Sequence, residues 1–166
     1  QVISATATAL SAVPDAAPHD NVATIATRVQ KRNLPDSTQL VLGMNHVIAS
    51  PAGDRLYAAV AKSAGDIEDA VAIVDPETAT IQHLLPVGAD PRRLAISDDG
   101  SRLYVLLGTN TLTRWNLATL SSELVMVLTN ESVLDFVPQP LSVTSLVVAT
   151  SARLAVFDNA SPRSQV

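Results

Sequence analysis

The residues best suited to chemistry fall in two short stretches. Asp66, Glu68 and Asp69 lie close together in "AKSAGDIEDA" (Ala61 to Ala70), and Arg92-Arg93 follows "PVGADP". Carboxylate oxygens are hard ligands, so the acidic group suits a calcium ion or a partner protein. Its spacing matches no EF-hand loop, and a solvated insertion accounts for it more simply, because loops accept extra residues at small entropic cost. The arginine pair suits an anionic group, or it is an exposed pair of little energetic weight. These five residues form the candidate partner-binding set.

Other routes to chemistry close quickly. His19, His46 and His83 are too scattered for a metal cluster, and there is no cysteine to supply a thiolate ligand or nucleophile. No Gly-x-Ser-x-Gly elbow is present, so Ser, Asp and His occur without a hydrolase pattern. His46 opens an apolar run and reads as a polar residue facing a central channel. No catalytic residue, metal ligand or cofactor site is assigned.

The balance of the chain agrees. Of 166 residues, 47% are hydrophobic and 16% charged, which favours a buried core over disorder. Aromatic content is 3%, leaving Val, Leu, Ile and Ala to build that core as strands. A net charge of −5, with scattered arginines, makes no phosphate-binding face, so nucleic acid is not an expected partner. No apolar run approaches the roughly 20 residues of a membrane-spanning helix. The first residue is Gln, and no basic segment precedes an apolar one; this fits a mature exported form or a fragment.

The elements that must position these residues are strands. Residues 1–39 are rich in Ala, Thr, Ser and Pro and read as an arm or linker, with one candidate strand at Val22 to Val29. From Gln39 the texture changes to short apolar runs between turn residues, the all-β signature. "HVIASPAGDRLYAAV" (His46 to Val60) lies over "RLAISDDGSRLYVLL" (Arg93 to Leu107) without a gap. Ser50 matches Ser97, Gly53 matches Gly100, and Arg55-Leu56-Tyr57 matches Arg102-Leu103-Tyr104. Each copy continues through a turn at "DPET" or "NLAT" into a further strand.

Four short strands in roughly 40 to 47 residues is the spacing of a β-propeller blade. In the second copy the strands are expected at Leu94–Ser97, Arg102–Leu107, Thr111–Leu117 and Leu124–Leu128. Asp99-Gly100 supplies the positive φ of a tight turn, and Pro91 precedes the first strand. Trp115 is expected to pack between blades. A worn third copy, "VTSLVVATSARLAVFDNAS", keeps its second and third strands, loses the Asp-Gly turn and shows no fourth strand before Val166. The blades are expected at about 40–88, 89–130 and 131–166.

The stretch "VGADPRRLAISDDGSRLYVLL…LTRWNLAT" resembles the YVTN-type repeat of bacterial and archaeal β-propellers. The resemblance covers about Leu40 to Arg163 and implies an all-β, partial or incomplete propeller of about three blades. A closed ring needs at least four. The expected remedies are further blades from the same or another chain, or strands from the arm. Through its relatives the resemblance implies export to the periplasm, cell surface or exterior. It also implies a non-catalytic scaffold for protein or ligand binding, or a structural subunit of a larger assembly; the alternative is a fragment of a metal-dependent, lactonase-like hydrolase. Ligand sites of such propellers lie where the loop between strands two and three meets the connection between blades. Here those segments are Ala61–Ala70, Pro86–Arg92 and Leu107–Asn110.

Overall fold

The computed structural model describes residues 2–8, 22–28, 39–60 and 67–164. Contacts divide the chain into two units, Gln1–Ser37 and Thr38–Val166. In the first, β1 (Val2–Thr8) pairs antiparallel with β2 (Val22–Arg28) in continuous register from Val2↔Arg28 to Thr8↔Val22. The second of these strands overlaps the one expected at Val22 to Val29.

The second unit holds three four-stranded antiparallel sheets, each a meander in sequence order. Sheet one comprises β3 (Met44–Ala49), β4 (Leu56–Val60), β5 (Ala70–Asp75) and β6 (Thr80–Leu85). Sheet two comprises β7 (Pro91–Ile96), β8 (Arg102–Leu107), β9 (Thr111–Asn116) and β10 (Ser121–Val127). Sheet three comprises β11 (Val133–Pro138), β12 (Ser145–Thr150), β13 (Leu154–Asp158) and β14 (Ser161–Pro162). The third copy therefore does have a fourth strand, contrary to the sequence reading. It is two residues long, and Phe157↔Pro162 and Asp158↔Ser161 are its only register pairs. So short a segment carries no alternation to read. No helix among the described residues is long and apolar enough to cross a membrane.

The continuous apolar runs are explained by burial on both faces, since successive strand residues point to opposite sides. In β8, Leu103 and Val105 join a cluster with Tyr57, Val71 and Ile73 of sheet one. Their neighbours Tyr104 and Leu106 pack instead with Phe136, Leu146, Val148 and Phe157 of sheet three. Sheet two is thus the filling between its neighbours. Trp115 is buried in the first cluster, as the core reading expected, and its indole N–H donates to Thr113 Oγ1 at 3.3 Å.

The end faces differ from this interior. On the outer face of sheet one, Ala58, Val60, Ala72 and Val74 are buried, with Leu40 and Leu42 packed against them. On the outer face of sheet three, Val137 and Leu154 remain 57% and 66% exposed.

Each sheet fixes its turns with a serine–aspartate pair. Ser50 Oγ donates to Asp54 at 2.7 Å, Ser97 Oγ to Asp99 at 2.6 Å, and Ser145 Oγ to Asp158 at 2.6 Å. In the first two sheets the same serine oxygen accepts the N–H of Arg55 or Arg102. Hydrogen bonds from Ser97 and Ser101 hold the Asp99 carboxyl at a pKa of about 2. This is turn chemistry, because the serine proton goes to a carboxylate and no imidazole takes part.

Candidate functional site

Antiparallel strands bring each loop between strands two and three to the same end as the connections between sheets. Hydrogen bonds show this directly. The connection into β7 is held from both sides: Asp90 N–H donates to Asp69 Oδ1 at 2.9 Å, and Gly108 N–H donates to Asp90 O at 2.9 Å. The connection into β11 repeats the arrangement, with Val133 N–H donating to Thr109 O and Ser151 N–H to Ser132 O. The expected loop face exists, and its loops clasp the chain that joins one sheet to the next.

Of the five candidate residues, Asp66 lies outside the described residues. Glu68 is exposed. Asp69 sits with φ 54° and spends one carboxylate oxygen on the Asp90 amide. Arg92 Nε donates to the Asp90 carboxylate at 2.8 Å, so Asp69 and Arg92 meet through Asp90. Arg93 turns away from that group and spans the gap to sheet three. Its Nη1 donates to Leu134 O at 2.9 Å and reaches Asp135 Oδ1 at 2.7 Å. The arginines thus point to different partners and do not act as a pair.

Sequence reasoning missed Asn45, Asp90 and Asp135. Asn45 Nδ2 donates to Pro91 O at 2.8 Å, and His46 Nδ1 accepts the Leu94 N–H at 3.2 Å. The innermost strand of sheet one therefore uses two side chains to satisfy the backbone edge of β7. Alignment of Asn45-His46 with Arg92-Arg93 was the one available signal, since Arg93 makes the same reach into β11.

His46 can accept that bond only while Nδ1 is unprotonated. Burial lowers its pKa below 6.5, the Arg93 charge lowers it further, and Asp135 opposes. A depressed pKa in the folded state means stability present above pH 6.5 and lost as pH falls toward the folded value. Asp99 and Asp158, both at about 2, stay ionised throughout that window. The thermal midpoint of the wild type should therefore fall between about pH 7.5 and pH 5, and His46→Gln should flatten that step. An unchanged step in the variant would dismiss His46 as its source.

Chemically, most of the charged groups described at this end are engaged with the chain itself. Asp69, Asp90, Arg93 and His46 bind backbone or bridge sheets, and Arg153 pairs with Glu131 at 3.2 Å. Among the described residues, no group of three His, Asp or Glu side chains is placed to hold a metal ion. The Arg92–Asp90 pair is half exposed, so its guanidinium can exchange partners at little cost.

No protein-family model and no curated protein matches this sequence. Solved structures do match in shape. Hydrazine synthase of Kuenenia stuttgartiensis is 18% identical with a TM-score of 0.61, over 81% of this chain and 38% of that one. The β-propeller domain of Myceliophteria thermophila Cps50 (Swd1) is 17% identical with a TM-score of 0.63, over 76% and 37%. The WD40 repeats of RRP9 are 14% identical with a TM-score of 0.58, over 76% and 39%. Each neighbour is more than twice as long as the stretch it shares, and at these identities the likeness establishes the fold alone: this chain builds three blades of a β-propeller.

Proposed function

We propose that the chain is a propeller scaffold, of the YVTN type and exported, which binds a protein partner or further blades and catalyses no reaction. The observation that carries this reading is the use of the charged loop-face residues. Asp69, Asp90 and Arg93 hold blade to blade, where a metal-dependent hydrolase would need convergent carboxylates or imidazoles free to bind metal. Rigid blades that present loops act through shape, and among the described residues Arg92 and Glu68 are charged loop-face groups accessible to a partner. The in-register copies at His46–Val60 and Arg93–Leu107 support the YVTN assignment, and export follows from the same resemblance. The exposed Val137 and Leu154 support further blades, because an apolar blade face is normally covered by its neighbour. In this layout residues 1–39 serve as the arm and 40–166 as the blades.

The test is metal analysis with a lactone-hydrolysis assay on the intact gene product, together with its native mass. We expect no stoichiometric divalent metal and no turnover. Bound metal with turnover would replace the scaffold with the lactonase-like reading. A well-folded monomer of 17.4 kDa would remove the need for further blades.

A further inference from the structure

The end of the molecule opposite the loop face carries the turns between strands one and two of each blade. These turns touch in series. A Cβ on Gly100 would lie 3.5 Å from Pro51 of the first turn, and Asp98 Oδ2 accepts the Leu141 N–H of the third at 3.3 Å. In the first two turns the residue with positive φ is glycine: Gly53 at 72° and Gly100 at 70°. In the third it is Leu141, at 61°. Side-chain-bearing residues rarely adopt this conformation, and leucine has no polar group to hydrogen-bond locally in return. Leu141 is also 99% exposed, so packing within the chain does not explain it.

The turn holds this leucine in place. Gln139 N–H donates to Ser145 O at 2.9 Å, Ser142 N–H to Gln139 O at 3.1 Å, and the Tyr104 hydroxyl to Val143 O at 2.9 Å. Beside it lies a cavity of about 410 Å³ lined by Ser97, Asp98 and Asp99 on one blade and Leu141, Ser142 and Val143 on the next. The Asp99 carboxylate is pinned by Ser97 and Ser101 and stays ionised. Asp98 has one oxygen on the Leu141 amide and no further hydrogen-bond or ion-pair partner among the described residues. The cavity is thus apolar along one wall and anionic along the other.

We infer that this cleft docks a protein segment that places an apolar side chain against Leu141 and Val143 and a lysine or arginine beside Asp98. The charge selects the partner: two fixed carboxylates reject an acidic segment and favour a basic one. The surface lies at the far end from Arg92 and Glu68, so it is independent of the loop face.

The test uses the whole chain and two fluorescent ten-residue peptides. One has a central Leu-Phe flanked by Lys and Arg; its twin has Glu at the flanking positions. The basic peptide should bind, the acidic twin should not, and raising the salt from about 50 mM to 500 mM should weaken binding several-fold. Leu141→Gly suits the turn, since glycine takes positive φ freely, and so it removes the apolar contact without unfolding the protein. It should cut affinity at least tenfold, as should Asp98→Asn. Equal binding of the basic peptide by wild type and Leu141→Gly, or no binding to the wild type, would overturn the proposal. A wild-type dimer that Leu141→Gly converts to monomer would overturn it too, by making a second copy the occupant.

Discussion

Leu103→Ala should lower the unfolding free energy by about 3 kcal/mol in urea titrations, the usual scale for a leucine removed from a well-packed core. Leu103 has no solvent exposure and sits among Tyr57, Val71 and Ile73 of the preceding blade, besides facing Trp115 across its own sheet. The loss combines forgone transfer free energy with a cavity that two stiff sheets cannot collapse to fill. Leu103→Met nearly conserves volume and should cost under about 1.5 kcal/mol. The contrast between the two variants carries the prediction. If alanine were tolerated as well as methionine, the contact between the first two blades would be looser than the structure shows.

The second large effect belongs to Glu123. Its carboxylate accepts from Arg102 Nε at 2.7 Å, Arg114 Nε at 3.2 Å and Asn116 Nδ2 at 3.0 Å. Burial pushes its pKa up, but the hydrogen bonds from Asn116 and Arg102 and the charges of both arginines outweigh this and leave it below the usual glutamate range. Arg114 is only 8% exposed and also reaches Asn159 of the next blade at 2.9 Å. Glu123→Gln keeps the shape and removes the charge, stranding the buried guanidinium, and should cost about 2 to 3 kcal/mol. Adding Arg114→Met should restore most of that loss, because an apolar side chain of similar volume needs no counter-charge. A double-mutant cycle measures the coupling; additive losses would show that the pair does not act as a unit.

These two residues also mark how far the sequence could be read. Leu103 lies in Arg102–Leu107, a strand whose bounds the structure reproduces, because a tight turn and an unbroken apolar run delimit it. Glu123 lies in β10, expected to begin only at Leu124. The strand begins at Ser121, and a register irregularity falls between Ser122 and Leu124. Its polar first half is exposed at the outer edge of the sheet, where apolar runs give no signal. Pro91, expected to precede its strand, is the first residue of β7, a position where proline's missing N–H is tolerated. The loop face followed from strand alternation alone. The partners of its charges did not, since Arg93 meets Asp135 only through the packing of one blade on the next.

Both apolar clusters and the Arg93, Asn45 and His46 bonds join blades that are consecutive in sequence. Such a molecule behaves as a one-dimensional array, in which each unit draws its stability from its nearest neighbours. Melting then starts in whichever unit has only one neighbour, and cooperativity is lost from there into the array. The end best prepared for it is the first blade, whose outer face is already lined by Leu40 and Leu42. Amide exchange in such an array is slowest in units flanked on both sides, as the middle of these three blades is, and each whole unit added raises the stability in a step.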